Sequence, residues 1–199
     1  MLIKKSIRVI FAFLLNGMAI SFYILAGFGL DSISIFNAGL ANIFHTSVGT
    51  ASLGFYFTVI VAALFFDRRY ISTATVLSLF IVGPSIDIFT KLFSVVVTPD
   101  SSLPLRILFF ILAYLTLSLA IALYLSANFG LSAADIIPIA FSDRRKLQFR
   151  WCKVAFDITL IVIGFLLGGA FGAGTVISGF ITGPTIQFFR SNLEKRFPV

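Results

Sequence analysis

The sequence predicts an all-α transmembrane bundle. Six spans form two inverted three-helix repeats, and each repeat carries a short interfacial or re-entrant helix. Three observations predict it: a composition too apolar for water, a loop-by-loop asymmetry of basic residues, and an internal repeat of half the chain. Of the 199 residues, 59% are hydrophobic and 12% charged, whereas a soluble domain carries about twice that charge. The 25 phenylalanines present more apolar surface than an interior of this size hides, and a lipid bilayer is the partner that covers it.

A span needs about 20 predominantly apolar residues. The first runs from Val9 to Ala26, behind Lys4, Lys5 and Arg8. It has the charge pattern of a signal peptide, but no Ala-x-Ala site follows it and it recurs in the repeat, so it reads as a retained helix. The next three are Val48 to Phe66, about Ile71 to Phe93, and Ile107 to Ala127. The uncharged run from Ile158 to Phe189 is too long for one span. Gly168, Gly169, Gly172 and Gly174 suit a tight turn within it. The fifth span is therefore about Cys152 to Leu167 and the sixth about Thr175 to Phe189.

With the N-terminus inside, all of the 15 Lys and Arg except Lys91 and Arg106 fall on the inner side. Every short loop agrees, which predicts a multi-pass plasma-membrane protein with both termini cytoplasmic. The net charge of +7 thus sets orientation and does not imply nucleic acid.

At an offset of 101 residues, Ala12, Leu14, Ala19, Ile20, Tyr23 and Ala26 match Ala113, Leu115, Ala120, Ile121, Tyr124 and Ala127. Phe28-Gly29-Leu30 matches Phe129-Gly130-Leu131, and Phe55, Thr58, Ile60 and Val61 match Phe156, Thr159, Ile161 and Val162. At an offset of 100, the segment from Phe80 to Phe89 matches that from Phe180 to Phe189. The chain is thus a single membrane domain over 1–199, with repeats at about 5–93 and 106–193. Three spans per half is an odd number, so the second half enters the membrane from the opposite side. Secondary transporters commonly have this architecture, with sites at mid-depth between the halves.

Between the first two spans of each half lies a segment too short to cross. Phe36, Leu40, Ile43 and Phe44 are spaced for a helix, and Asp31 stands at its N-cap position. In the second half Ser132 takes the cap, with Asp135 three residues on in a capping-box-like pattern. Either these residues simply start helices, or two half-helix N-termini point at the centre, where they suit anions. Asp31 opposes an anion in the first half.

Charges within spans are costly and mark candidate sites. Asp87 follows Gly83-Pro84 in the third span, and Gln187 follows Gly183-Pro184 in the sixth. Paired Gly-Pro breaks point to a binding site, with simple packing kinks as the other reading. Asp157 stands four residues after Lys153, a spacing suited to an ion pair. The candidate cavity-facing polar residues are Asp31, Asn37, Asp87, Asp157 and Gln187, and Gly83, Pro84, Gly183 and Pro184 are the candidate hinges. The lone Cys152 excludes an internal disulfide, and with the lone His45 it makes no metal site. No Ser–His–Asp set, phosphate loop or cofactor motif is found, so no enzyme activity and no cofactor are expected.

Gly27-Phe28-Gly29-Leu30-Asp31, Asn37-Ala38-Gly39-Leu40, Thr46-Ser47-Val48-Gly49 and Gly83-Pro84-Ser85-Ile86-Asp87 together resemble the YczE/YyaS/YitT family of bacterial membrane proteins. Gly174-Thr175 and Gly183-Pro184 resemble its last helix, and the likeness extends from about Ile7 to Leu193. The chain departs from the pattern at Ser32, where a proline is common, and at His45, where glycine is commoner. The resemblance implies a small plasma-membrane protein associated with transport and supplies no catalytic residues. The expected function is a small-solute permease or secondary transporter acting on an unidentified solute or ion. The alternatives are an accessory or scaffold subunit and a small channel, and a homodimer suits so small a bundle.

Overall fold

The computed structural model describes residues 2–98 and 100–196. The side chains of residues 2, 4, 194 and 196 are outside that description, as is the expected placement of the Lys4 and Arg196 charges. Among the described residues the chain is helical throughout, with no strand: α1 (Leu2–Ala26), α2 (Ser32–Phe44), α3 (Val48–Phe66), a 3-10 turn (Arg68–Tyr70), α4 (Thr73–Phe93), α5 (Leu103–Ser126), α6 (Ala133–Arg145), α7 (Phe149–Leu166) and α8 (Ala173–Arg196). Four helices are long and apolar enough to cross a membrane: α1 from Lys5, α3, α4 and α5. The expectation of six spans is met in part. The 18 residues of α7 include Arg150, Lys153 and Asp157, and α8 is diluted by Gly, Ser, Thr and Gln.

Local chemistry sets the helix starts. Ser72 accepts from the Thr75 N–H while Thr75 answers the Ser72 N–H, a reciprocal cap at the head of α4. Ser47 accepts from the Thr50 N–H to start α3, and Pro104 sits in the first turn of α5. Pro84 and Pro184 lie inside α4 and α8, which continue through them.

The centre is the α1·α5 pair. α4 lies along α1, α8 lies along α5, α2 is held between α3 and α7, and α6 touches both α7 and α3. Small residues let the central pair approach: Ala19 and Ala26 pack in one cluster with Ala113 and Leu117. Val9 shares a core cluster with Ala74, so the start of α1 lies beside the start of α4. At that end Arg69 pairs with Asp67 at 2.9 Å and Asp143 at 3.6 Å, and Arg144 Nη2 donates to the Phe66 carbonyl at 2.8 Å. These bonds tie the α3–α4 connection to the end of α6. At the other end of α1, Arg106 Nε donates to the Ala26 carbonyl at 2.9 Å, satisfying a free helix-end acceptor.

Positions 101 apart share unusual backbone geometry. Gly29 and Gly130, which lead into α2 and α6, both have φ of +111°. A Cβ at Gly29 would fall 2.5 Å from Thr175 Oγ1, and one at Gly130 would fall 2.2 Å from Ser72 Oγ, so only glycine fits either turn. At the far ends of the same helices, His45 (φ 51°) and Lys146 (φ 54°) are both left-handed. A left-handed residue closing a helix is the conformation that glycine adopts most readily.

Candidate functional site

The short helices are what position charge inside the protein. α2 has 13 residues, about 20 Å of helix. Its first residue meets the middle of α7, where Ser32 Oγ donates to Asp157 Oδ1 at 2.8 Å. Its other end reaches past α7, where Asn42 Nδ2 donates to the Gly168 carbonyl at 2.7 Å. Between these points the backbones touch. A Cβ on Gly164 would lie 2.6 Å from the Phe36 N, and one on Gly39 would lie 2.7 Å from the Gly164 carbonyl oxygen. Small residues permit this approach, so the body of α2 is packed into the protein while its last turn, with Ile43 and Phe44, is exposed.

α6 is anchored by a dense set of bonds. Ser72 Oγ accepts from the Leu131 N–H at 3.1 Å, and Thr75 Oγ1 donates to the Leu131 carbonyl at 2.6 Å. The Ser132 N–H donates to the Tyr124 hydroxyl at 2.6 Å, and the Ala133 N–H donates to Ser78 Oγ at 3.1 Å. Ser132 caps the helix as expected, accepting from the Ala134 N–H at 3.4 Å.

The start of α2 meets α7 through Ser32, and Asp135 on α6 lies within electrostatic range of the same turn of α7. Lys153 Nζ and Asp157 Oδ1 are 2.6 Å apart, the i,i+4 pair that the spacing predicts. Asp31 and Asp135 each interact electrostatically with Lys153 and with Asp157. Tyr56 interacts with Asp31 and with Asp135, Tyr23 with Asp31, and Tyr124 with Asp135. The centre therefore holds three carboxylates, one ammonium and three buried tyrosines. Half-buried charges inside a membrane bundle need partners, water or an occupant.

The structure brings Asp31 and Asp157 together and adds Asp135, which the sequence marks only as part of a cap. Asp31 occupies the N-cap position of α2 but makes no capping hydrogen bond. Asn37 lies further along α2 and donates to Ser52 Oγ at 2.9 Å. Asp87 sits elsewhere: it accepts from Ser47 Oγ at 2.6 Å and from the Gly49 N–H at 3.0 Å, so it caps α3 from a neighbouring helix. Gly83 packs on the Gly49 carbonyl, and Pro84 borders a shallow pocket with Asp87. Gln187, Gly183 and Pro184 are exposed on α8, and a Cβ at Gly183 would meet nothing. The tyrosines are absent from the sequence-based site, although Tyr23 and Tyr124 are matched across the repeat.

Comparisons with known proteins place the chain in a family. An uncharacterized protein of Haemophilus influenzae is 26% identical over 195 residues, covering 98% of this chain and 87% of the relative. The uncharacterized membrane protein YczE of Bacillus subtilis is 21% identical over 160 residues, covering 80% of this chain and 73% of YczE. No solved structure matches the chain. The family of unknown function DUF6198 matches residues 3–191. The chain therefore belongs to DUF6198, a YczE-like family, and is a membrane protein.

Proposed function

We propose that this protein is a small-solute permease of the plasma membrane. Its six spans form two inverted halves, both termini face the cytoplasm, and the substrate site lies where α2 and α6 begin. One observation carries the reading: Asp31, Asp135 and the Lys153–Asp157 pair lie within electrostatic range of one another inside the helical bundle. A scaffold has no use for three carboxylates against one lysine at its centre, because each is costly to desolvate. Half-helices that meet at the junction of two repeats are a recurrent way to build a transport site.

The inverted arrangement draws support from the pairing of elements. α1·α4 corresponds to α5·α8, and α2·α7 corresponds to α6·α3. The paired φ values at Gly29 and Gly130, and at His45 and Lys146, support the same reading. The orientation rests on the basic end that holds Arg68, Arg69, Arg144 and Arg145.

The test is flux in proteoliposomes across a panel of small solutes. Asp157→Asn and Asp135→Asn, each checked for folding, are expected to abolish uptake that the wild type supports. Wild-type flux in both variants would remove the centre from the function. A second reading, a subunit that docks a partner, is favoured by α8. This helix packs along α5 without the further neighbour that α4 finds in α3. Gentle purification that retains a stoichiometric partner, with no flux from the isolated chain, would select it.

A further inference from the structure

Around the start of α2, Tyr23 Oη, Asp31 Oδ1, Ser34 Oγ and Asn37 Oδ1 are buried and have no hydrogen-bond partner among the described residues. Tyr23, Ser34 and Asn37 are 0%, 1% and 2% exposed. Ser34 lies beside Asp31 and Ser178 beside Tyr23, but neither completes a bond. Buried polar atoms are normally paired, and an orphaned group calls for an ion or water. Two of the second-half counterparts are satisfied: Tyr124 Oη accepts the Ser132 N–H and Ser132 Oγ accepts the Ala134 N–H.

The chemistry of the orphaned set selects the sign of its occupant. Asp31 Oδ1 and Asn37 Oδ1 only accept, and the Asn37 amide already gives one of its two N–H groups to Ser52. Ser34 and Tyr23 oxygens also accept, and no donor-only group is left over. The start of a helix carries about half a positive charge. The ends of α2 and α6, together with Lys153, fall short of the three carboxylates by about one unit. A single carboxylate in the orphaned set is too little for a divalent cation, which gathers several. Tyr23 also borders a cavity of about 150 Å³, shared with Leu30, Asn42 and Gly168.

We propose that the start of α2 is a site for one desolvated alkali cation of Na⁺ size. Asp31 Oδ1, Ser34 Oγ and Tyr23 Oη hold it, and Asn37 Oδ1 stands one turn further along. As the ion that drives transport it rests on the permease reading; as a binding site it does not.

The full chain in detergent is unfolded thermally in NaCl, KCl or choline chloride at one ionic strength and pH, with a thiol-reactive dye reporting the buried Cys152. The wild-type Tm is expected to rise saturably with Na⁺ relative to choline. Asp31→Asn is expected to abolish that rise, and Ser34→Ala to move half-saturation upward about tenfold. Ser132→Ala, the second-half counterpart of Asp31, is expected to keep the Na⁺ response. If Asp31→Asn does not fold, ²³Na line broadening by wild type and Ser34→Ala decides, and equal broadening overturns the site. Equal wild-type Tm in NaCl and choline overturns it, as does a Na⁺ response that survives Asp31→Asn. Saturable Na⁺ binding without flux of any solute ends the permease reading and leaves the site standing. Flux indifferent to Na⁺ leaves the permease reading standing and removes only the ion's role in driving it.

Discussion

Replacing Gly164 by alanine tests whether a backbone contact holds the central charges in place. The added Cβ would sit 2.6 Å from the Phe36 N and 2.7 Å from the Ile35 C and Phe36 Cα. All three are backbone atoms of α2, so no rotamer relieves the clash, and ordinary contact begins near 3.4 Å. α2 must therefore retreat by about 0.8 Å, a shift that costs about 1–3 kcal/mol in a well-packed interior. Because α2 moves as a rod, the 2.8 Å bond from Ser32 Oγ to Asp157 Oδ1 lengthens to about 3.6 Å, beyond hydrogen-bond range. Gly54→Ala is the control, since a Cβ there meets nothing within 4 Å and helix propensity favours it by about 1 kcal/mol. Thermal unfolding followed through Cys152 is expected to place Gly164→Ala several degrees below wild type and Gly54→Ala at or above it. Equal Tm values for the two variants would refute the wedged placement of α2.

Three further substitutions probe single bonds. Asp87→Ala removes the acceptor of the Gly49 N–H and Ser47 hydroxyl, so unfolding free energy is expected to fall by about 1–2 kcal/mol; solute KM at a permissive temperature is expected to be unchanged. His45→Gly relieves a left-handed residue at the end of α2 and is expected to raise stability by about 1 kcal/mol. Ser72→Ala strips the Leu131 N–H and the Thr75 N–H of their acceptor; denaturant titration is expected to show a loss of about 1–2 kcal/mol.

Four of the six expected spans and the short helices were legible because lipid imposes a length and an apolarity that local sequence must satisfy. The start of α3 at Val48 and the break after Phe93 fall where the hydropathy puts them. The i,i+4 Lys153–Asp157 pair was legible for a similar reason, since one helical turn fixes it. Asp87 was not legible as the cap of α3, because its partners Ser47 and Gly49 lie 40 and 38 residues away in sequence. The approach of Asp31 to α7 depends equally on tertiary packing, through Gly39 against Gly164. A Gly-Pro pair reads alike on a buried and an exposed helix face, so nothing in Gly183-Pro184 announces that α8 leaves it open.

The scaffold is shared between the halves while the charged chemistry is not, and this bears on what the centre admits. Gly29 and Gly130, Tyr23 and Tyr124, and Thr75 and Thr175 build equivalent turns, yet Asp31 stands opposite Ser132, Ser34 opposite Asp135, and Tyr56 opposite Asp157. A bare half-helix start attracts anions, but here each start already has a carboxylate in its own cap or first turn. Asp157 is balanced by Lys153, so an entering anion finds no free positive end and meets net repulsion, whereas a cation is drawn in. Asp31→Ser copies the second-half residue into the first half and removes about the one unit of excess charge. If charge balance selects the solute, that variant loses competition of flux by small cations while α2, held by Gly39 and Ser32, stays in place. Undiminished competition by cations in Asp31→Ser, with normal folding, would mean that shape and not charge governs entry.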